Sequence, residues 1–181
     1  SSLLLAFDTT IEGWTAGAYN TVGARIGSGN LRVTAAASAT TTSTLDTVRD
    51  LSGYSTVDEM KLAYLNNSAG VASMYLRFYT DATNYFTYTI TSPSVGYSVA
   101  IFKKSDFVVT GTPSWSNIAQ VAVSVTANAS GATVDFDGLR IDDRDTYTAV
   151  ETLVSRTVLG TPVTKATGVP LDIEYTLDLT L

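Results

Sequence analysis

The sequence predicts an all-β protein built as an antiparallel β-sandwich, and three observations support that prediction. Short stretches alternate apolar and polar residues with a period of two, which is the pattern of a half-buried strand. Turn residues separate about nine such stretches at the spacing that is typical of sandwiches. No stretch has the 3.6-residue periodicity of an amphipathic helix. We therefore expect two sheets around one core and almost no helix.

The first third of the chain supplies several of these strands. Residues 3–7 are predicted to form the first strand, and residues 30–34 form a short alternating strand after a glycine-rich turn. Residues 35–44 are rich in threonine, whose branched Cβ favours extended structure, so we interpret this segment as a solvated strand or loop. Residues 57–65 carry a large apolar side chain at every second position and are predicted to form a core strand. The side chains expected to face inward there are Met60, Leu62 and Tyr64.

Residues 74–79 predict a strand with aromatic residues on the face that points away from the core. Apolar side chains occupy the even positions, whereas two tyrosines and an arginine occupy the odd positions. A turn at residues 81–84 returns the chain along a second strand, residues 85–90, whose first residue is again a tyrosine. The inward set is Met74, Leu76 and Phe78, and the outward set is Tyr75, Arg77, Tyr79 and Tyr85.

Residues 114–143 are predicted to form a β-hairpin around the turn at residues 126–131. Valines alternate with small residues on its first strand, and apolar residues alternate with carboxylates on the second. After Gly138 the apolar residues move from even to odd positions, so we expect a β-bulge at residues 137–138. The inward residues of the second strand are Val134 and Phe136, and its outward carboxylates are Asp135 and Asp137.

The sequence divides into a domain of residues 1–145 and a C-terminal β-hairpin extension of residues 146–181. In the extension, residues 171–181 alternate apolar and polar side chains without interruption and are predicted to pair with residues 153–159. A strand with six apolar side chains on one face is an aggregation hazard unless something covers it. We therefore expect a homo-oligomer, such as a trimer, or docking to a neighbouring protein.

Composition excludes several classes of function. A formal net charge of −6 leaves no excess of Lys and Arg for nucleic-acid phosphates, so nucleic acid is not an expected partner. No apolar run is long enough to span a bilayer, and no membrane contact is expected. The chain has no histidine and no cysteine, which excludes Ser-His-Asp and Cys-His catalysis and the commonest zinc ligands.

One pair of carboxylates could still act as an acid and a base. Asp172 and Glu174 would lie about 7 Å apart on one strand face. A solvated strand face explains them better, because their order does not match the Glu-x-Asp-x-x-Glu strand of the sandwich-fold β-glucanases. We predict no catalytic residue and no enzymatic activity.

Two clusters remain as candidate sites. The outward tyrosines could form a platform on which the CH face of a sugar ring stacks, while Arg77 and the turn residues Asp81 and Asn84 bind its hydroxyl groups. The alternative is that these aromatic residues cover a second core layer or pack under loops. Asp8 and Asp137 would suit Ca²⁺, which prefers carboxylate and backbone oxygens, unless the acidic residues of this region only face solvent. The platform tyrosines are Tyr75, Tyr79 and Tyr85.

Three segments resemble the jelly-roll carbohydrate-binding modules attached to bacterial glycoside hydrolases. They are residues 5–14 (LAFD with a later GW), residues 29–33 (GNLRV) and residues 134–141 (VDFDGLRI). The resemblance covers roughly residues 3–145 and implies a jelly-roll β-sandwich. In that family a calcium ion commonly ties the first strand to the last, which implies a structural Ca²⁺ held by Asp8 and Asp137.

Further segments are similar to bacteriophage virion proteins. Residues 105–107 and 111–118 resemble the version of the module found in such proteins, and residues 153–156, 162–165 and 173–177 resemble the C-termini of tail and head-surface proteins. This resemblance implies a glycan-binding protein on the surface of a tailed phage, as a fibre tip, a receptor-binding protein or a decoration protein. The alternative is a carbohydrate-binding module of a secreted polysaccharide-degrading enzyme. Both alternatives imply an extracellular or virion-surface location.

Overall fold

The computed structural model describes residues 2–5, 10–25, 27–142, 156–158 and 161–163. The chain divides into two units, Ser1–Thr146 and Tyr147–Leu181, and each is described by itself. Within the described residues, thirteen strands and one three-residue turn of 3-10 helix, Lys104–Asp106, make up the regular structure. No helix in this part of the chain is long and apolar enough to cross a membrane.

The first unit contains eleven of these strands. Their bounds are β1 (Ser2–Leu5), β2 (Ala18–Asn20), β3 (Asn30–Ala35), β4 (Thr40–Arg49), β5 (Glu59–Asn66), β6 (Val71–Asp81), β7 (Asn84–Thr91), β8 (Gly96–Phe102), β9 (Val108–Thr110), β10 (Ile118–Ala127) and β11 (Ala132–Asp142). The order of the first sheet is β2-β3-β11-β5-β8, with β1 also paired to β11. The order of the second sheet is β4-β10-β6-β7-β9, and all strand pairs are antiparallel. The fold is an antiparallel β-sandwich, as the sequence predicts.

The core lies between the inner faces of the two sheets and follows from the period of two. On β6, Met74, Leu76 and Phe78 are 0–1% exposed, and β5 buries its even positions in the same way. Burying each such side chain contributes about 1.5–3 kcal/mol. Towards one end the core becomes aromatic: the rings of Phe86 and Trp115 stack with centroids 3.9 Å apart. The inward assignments predicted for residues 57–65 and 74–79 are confirmed.

The prediction that residues 114–143 form a hairpin is wrong, because the two strands do not pair with each other. β10 lies in the second sheet between β4 and β6, whereas β11 lies in the first sheet beside β3 and β5. The connection therefore crosses from one sheet to the other and packs against two other turns. The backbone N–H of Asn128 donates to the carbonyl of Gly70 (2.8 Å), and its carbonyl accepts from the N–H of Ser38 (2.8 Å). The same turn-forming residues serve a hairpin and a crossing, so the local pattern does not distinguish them.

The predicted β-bulge is confirmed. Phe136 pairs with Tyr64 and Gly138 pairs with Ala63, so Asp137 is the extra residue on β11. Gly138 has a φ of 139°, a backbone conformation that favours glycine. Beyond the bulge, Leu139 and Ile141 face the core, both 0% exposed. The bulge therefore restores the inward direction of the apolar side chains after the phase of the sequence changes.

In the second unit, two short strands form an antiparallel pair, β12 (Arg156–Val158) and β13 (Thr161–Val163). Residues 156–158 thus pair with a nearby segment, whereas the sequence analysis assigned residues 153–159 to a partner at residues 171–181. Residues 171–181, with Asp172 and Glu174, lie outside the described residues, so the strand predicted there stays a prediction.

Candidate functional site

The outer face of the second sheet is predominantly polar. Strand register places side chains of β4, β10, β6 and β7 in rows across this face, because directly paired residues point to the same side. Hydroxyl groups, an amide, small side chains and tyrosines dominate these rows. The residues are Thr40, Thr42, Thr44, Asp46, Gln120, Ala122, Ser124, Thr126, Ser73, Tyr75, Arg77, Tyr79, Tyr85, Thr87, Thr89 and Thr91.

The sequence-predicted residues Tyr75, Arg77, Tyr79 and Tyr85 come together on this face, and we call them the tyrosine cluster. The guanidinium carbon of Arg77 lies 4.3 Å from the ring centroids of both Tyr75 and Tyr85, and 5.5 Å from that of Tyr79. All four side chains are half-buried. Each cation–π contact of this kind contributes about 0.5–1 kcal/mol at exposed sites and more when desolvated. The arginine therefore holds three rings around itself.

Hydrogen bonds fix the orientation of the tyrosine cluster. Arg77 donates from Nε to the Thr87 hydroxyl (2.8 Å) and from Nη1 to the Tyr79 hydroxyl (2.7 Å). The Tyr75 hydroxyl hydrogen-bonds to the Thr42 hydroxyl at 3.0 Å. The rings of Tyr79 and Tyr85 lie 5.1 Å apart at 52°, in a tilted pair. These contacts fix the positions of the rings and of the Tyr75 and Tyr79 hydroxyl groups without a ligand.

Tyr75 leans across the neighbouring strand. Its partner Thr42 lies on β4, two strands away, and Ser124 of β10 lies between them in the same row. Ser124 and Ala122, which lies two residues before it on β10, are both 0% exposed. The Tyr75 side chain therefore crosses β10 to reach β4.

The other two predicted residues, Asp81 and Asn84, shape the turn between β6 and β7. The Asp81 carboxylate accepts hydrogen bonds from the backbone N–H and hydroxyl of Thr83 and from the backbone and side chain of Asn84, at 2.7–3.0 Å. These hydrogen bonds lower the pKa of Asp81 to about 2, and the bond from the Asn84 side chain contributes most. The Asn84 amide oxygen accepts from the Thr112 N–H at 2.7 Å. Their predicted role towards a sugar stays a prediction.

Asp135 and Asp137 on β11 are buried, which corrects their predicted exposure to solvent. Asp135 is 0% exposed and accepts two hydrogen bonds from Arg32, at 2.7 and 2.8 Å, and a third from Asn67 at 2.9 Å. The hydrogen bond with Asp135 raises the pKa of Arg32. Asp135 does lie on the outer side of the first sheet, as its alternation predicts. Side chains from β3 and from the turn after β5 cover it, which a strand pattern does not reveal.

Asp137, the predicted calcium ligand, is 2% exposed and accepts a hydrogen bond from the backbone N–H of Arg25 at 2.6 Å. Its predicted partner Asp8 lies outside the described residues. Within the part of the chain that the structure describes, no group of three or more His, Cys, Asp or Glu side chains could hold a metal ion. The Ca²⁺ site stays a prediction.

A cleft of about 540 Å³, which no pattern in the sequence predicted, opens at the aromatic end of the sandwich. Lys104 Nζ donates to the backbone carbonyls of Leu51 and Tyr54 and lies 5.4 Å from the ring of Trp115. Burial lowers the pKa of Lys104. Aromatic rings and serine hydroxyl groups line the cleft together, among them Phe86, Phe107, Ser105 and Ser116. In the sequence, only the Ser-Trp-Ser segment at residues 114–116 indicates a possible binding site here. No local pattern indicates that Lys104 lies beside Trp115.

No family model matches the chain, and no curated protein matches it in sequence. Solved structures match it in fold. One is an exo-β-agarase, with 18% identity and a TM-score of 0.60 over 79% of this chain and 25% of that protein. Another is the agarase AgWH50C, with 10% identity and a TM-score of 0.58 over 79% of this chain and 26% of that protein. The chain thus spans about a quarter of the length of these two agarases.

A third match has nearly the same extent as the matched part of this chain. It is a family 11 carbohydrate-binding module from Clostridium thermocellum in complex with a β-1,3-1,4-mixed-linked tetrasaccharide. The identity is 13% and the TM-score is 0.59, over 77% of this chain and 94% of that module. The chain therefore has the jelly-roll β-sandwich fold of carbohydrate-binding modules.

Proposed function

We propose that this chain is a non-enzymatic glycan-binding protein whose tyrosine cluster receives the sugar. The single observation that carries the proposal is the set of ordered tyrosine rings around Arg77 on a sheet face of hydroxyl and amide groups. A pyranose ring has an apolar CH face and a rim of hydroxyl groups. Tyrosine rings match the first, and threonine, glutamine and arginine side chains match the second.

The matched structures support the class of ligand. The family 11 module is described in complex with a tetrasaccharide, and the agarases carry the same fold within a longer chain. At 10–18% identity this support extends to the fold alone and not to individual residues. The assignment of the tyrosine cluster rests on its own geometry.

Two biological settings follow from different observations. The resemblance of residues 105–118 and of the C-terminal segment to phage proteins favours a virion surface protein, which is our first proposal for the setting. The presence of this fold within two agarases favours the second, a module of a secreted polysaccharide-degrading enzyme. The oligomeric state of the 181-residue chain separates the two settings.

Glycan-array screening followed by titration calorimetry tests the proposed function. We expect affinities well short of nanomolar for a single chain, because shallow platforms of this kind gain strength mainly from several copies acting together. Tyr79→Ala and Tyr85→Ala should each weaken binding roughly tenfold, which corresponds to about 1.4 kcal/mol of lost stacking.

Two control variants make this test specific. Tyr97 is half-buried on β8 of the other sheet, where Arg25 contacts its ring, so Tyr97→Ala should leave the affinity unchanged. Trp115→Ala probes the cleft in the same assay. The Trp115 ring also packs on Phe86, so thermal unfolding must first show that this variant is folded. If the folded Trp115→Ala protein alone loses binding to a confirmed glycan, the glycan occupies the cleft and the tyrosine cluster is not the site.

A further inference from the structure

Arg77 carries a positive charge that no nearby carboxylate neutralises. Among the described residues, neither the ion pair of Arg32 with Asp135 nor that of Lys61 with Glu59 involves Arg77. An arginine side chain stays protonated at any ordinary pH. Three neutral tyrosines surround this cation instead, at 4.3–5.5 Å. The tyrosine cluster therefore has a net charge of +1 in a chain whose formal net charge is −6.

The guanidinium also has hydrogen-bond donors to spare. Of its five N–H groups, Nε–H donates to Thr87 and one Nη1–H donates to Tyr79. The other three, one on Nη1 and two on Nη2, have no hydrogen-bond partner among the residues that the structure describes. Nη2 has no partner in the described part of the chain and is not among the buried atoms that lack one, so solvent reaches it. Nη1 and Nη2 can still donate side by side, which is the arrangement that binds an oxyanion through two hydrogen bonds.

We propose that the glycan is acidic, and that Arg77 binds an oxyanion on the sugar while the flanking tyrosine rings stack on the sugar that bears it. The proposal rests on the proposed function and names the class of ligand. The shared chemistry is a carboxylate of a uronic acid or a sulfate ester, since both offer two oxygens to the open edge of the guanidinium. Half-burial strengthens this contact relative to an arginine in free solution.

The carboxylates nearest this face, those of Asp46 and Asp81, do not form an ion pair with Arg77. Asp46 on β4 pairs in register with Gln120 on β10. Its carboxylate accepts a hydrogen bond from the Gln120 side-chain amide at 2.6 Å. The carboxylate of Asp81 is held in its turn by Thr83 and Asn84. Both carboxylates are exposed to solvent, where salt screens their repulsion of an anionic ligand.

The acidity of the whole chain makes the proposal easier to test. A basic protein binds polyanions non-specifically through many Lys and Arg side chains, whereas a chain with 11 basic and 17 acidic residues does not. Any retention of an acidic polysaccharide by this protein must therefore come from a local site. The tyrosine cluster supplies such a site.

Affinity electrophoresis and calorimetry with matched polysaccharides at 150 mM salt, a concentration that screens exposed charges, test this inference. The pairs are polygalacturonate with its fully methyl-esterified form, and dextran sulfate with dextran. We expect the wild-type chain to bind the acidic member of at least one pair about tenfold more tightly than the neutral member. The first pair reports carboxylate recognition and the second reports sulfate recognition.

Variants assign the preference to Arg77. Arg77→Gln should abolish the difference in affinity between the acidic and the neutral polysaccharide of a pair. Arg77→Lys should keep part of this difference, because lysine retains the positive charge but cannot form a bidentate hydrogen bond. Arg140→Gln is the matched control, since Arg140 is an exposed arginine on the first sheet and its loss changes the net charge equally. The control should keep the full preference.

Equal binding of both members, or tighter binding of the neutral member, would overturn the proposal of an acidic ligand and leave glycan binding intact. This comparison uses the wild-type chain alone, so it does not depend on whether an Arg77 variant folds. Failure to bind any polysaccharide or any glycan of an array would instead reject the proposed function.

Discussion

Two arginines on the outer faces of the two sheets show how their surroundings determine what the same side chain does. Arg32 donates two hydrogen bonds to the buried Asp135 and is thereby part of the framework. Arg77 has tyrosines as neighbours and keeps donors for a ligand. The difference lies in the residue opposite: Arg32 pairs in register with Asp135, whereas Arg77 pairs with Ala122 and Thr87.

Asp135→Asn should destabilise the fold by about 2 kcal/mol, because the neutral amide cannot accept both hydrogen bonds of the Arg32 guanidinium in a buried place. The Arg32 side chain is 37% exposed, which keeps the loss below that of a fully buried pair. Urea denaturation measures it. Asp46→Asn is the control, since Asp46 is exposed and its change should stay within about 0.5 kcal/mol. Equal losses in the two variants would contradict this role for Asp135.

At the scale of elements, the crossing between β10 and β11 depends on close contact between turns. Gly70 precedes β6, and a Cβ atom placed on it would lie 1.6 Å from the carbonyl oxygen of Gly131. The N–H of Asn128 also binds the carbonyl of Gly70. Such proximity exists because the chain passes from one sheet to the other at this end of the sandwich.

Gly70→Ala should therefore destabilise the protein by roughly 2–4 kcal/mol, because one of the two backbones has to move. Gly53→Ala provides a matched control: no atom outside its chain neighbours lies within 4 Å of a Cβ there, so the change should be nearly neutral. Thermal unfolding of the two variants compares them directly. A Gly70→Ala protein as stable as the control would mean that the two turns do not meet as described.

Calcium, if bound as the family resemblance implies, would act between the first and last strands of the sandwich. β1 ends at Leu5, whose register partner Leu139 lies two positions after Asp137. A ligand present at about 100 times its Kd stabilises the folded state by about 2.7 kcal/mol. Excess chelator should then lower the melting temperature by roughly 5–10 °C. An unchanged melting curve would argue against the site at Asp8 and Asp137.

At the scale of the whole molecule, the apolar strand predicted for the C-terminal extension gives a test of the two proposed settings. Residues 171–181 place six apolar side chains at alternate positions, each of which gains about 1.5–3 kcal/mol when it is buried. A subunit of a virion has a use for such a strand in assembly, whereas an isolated binding module does not. Copies joined in this way would also present several tyrosine clusters to one polysaccharide, which raises the overall avidity.

Sedimentation at micromolar concentration should show an oligomer for the full-length chain and a monomer after truncation at Asp145. Leu177→Glu should disrupt the oligomer without deleting any residue, because it places a charge on the apolar face of the predicted strand. Thr176→Glu, on the opposite face, should leave the oligomer intact. A full-length monomer would remove the argument for assembly and favour the module of a secreted enzyme.

The sequence by itself determined which side chains share a face of each strand. The alternation of residues 74–79 separated the core set from Tyr75, Arg77 and Tyr79, and the phase change at Gly138 indicated the bulge. These properties are local, because successive side chains of an extended backbone point to opposite sides whatever the strand's neighbours are. The tyrosine cluster could therefore be predicted before its partners were known.

Only the tertiary structure decided which strands are neighbours. β10 and β11 follow each other along the chain and yet join different sheets, and this places Ser124 between Tyr75 and Thr42 and places Asp135 beside Arg32. Strand pairing in a sandwich is set by the burial of whole faces formed by residues far apart in sequence, so a turn pattern does not fix it. For the same reason, the buried carboxylates and the cleft beside Lys104 arise from long-range packing that no single strand encodes.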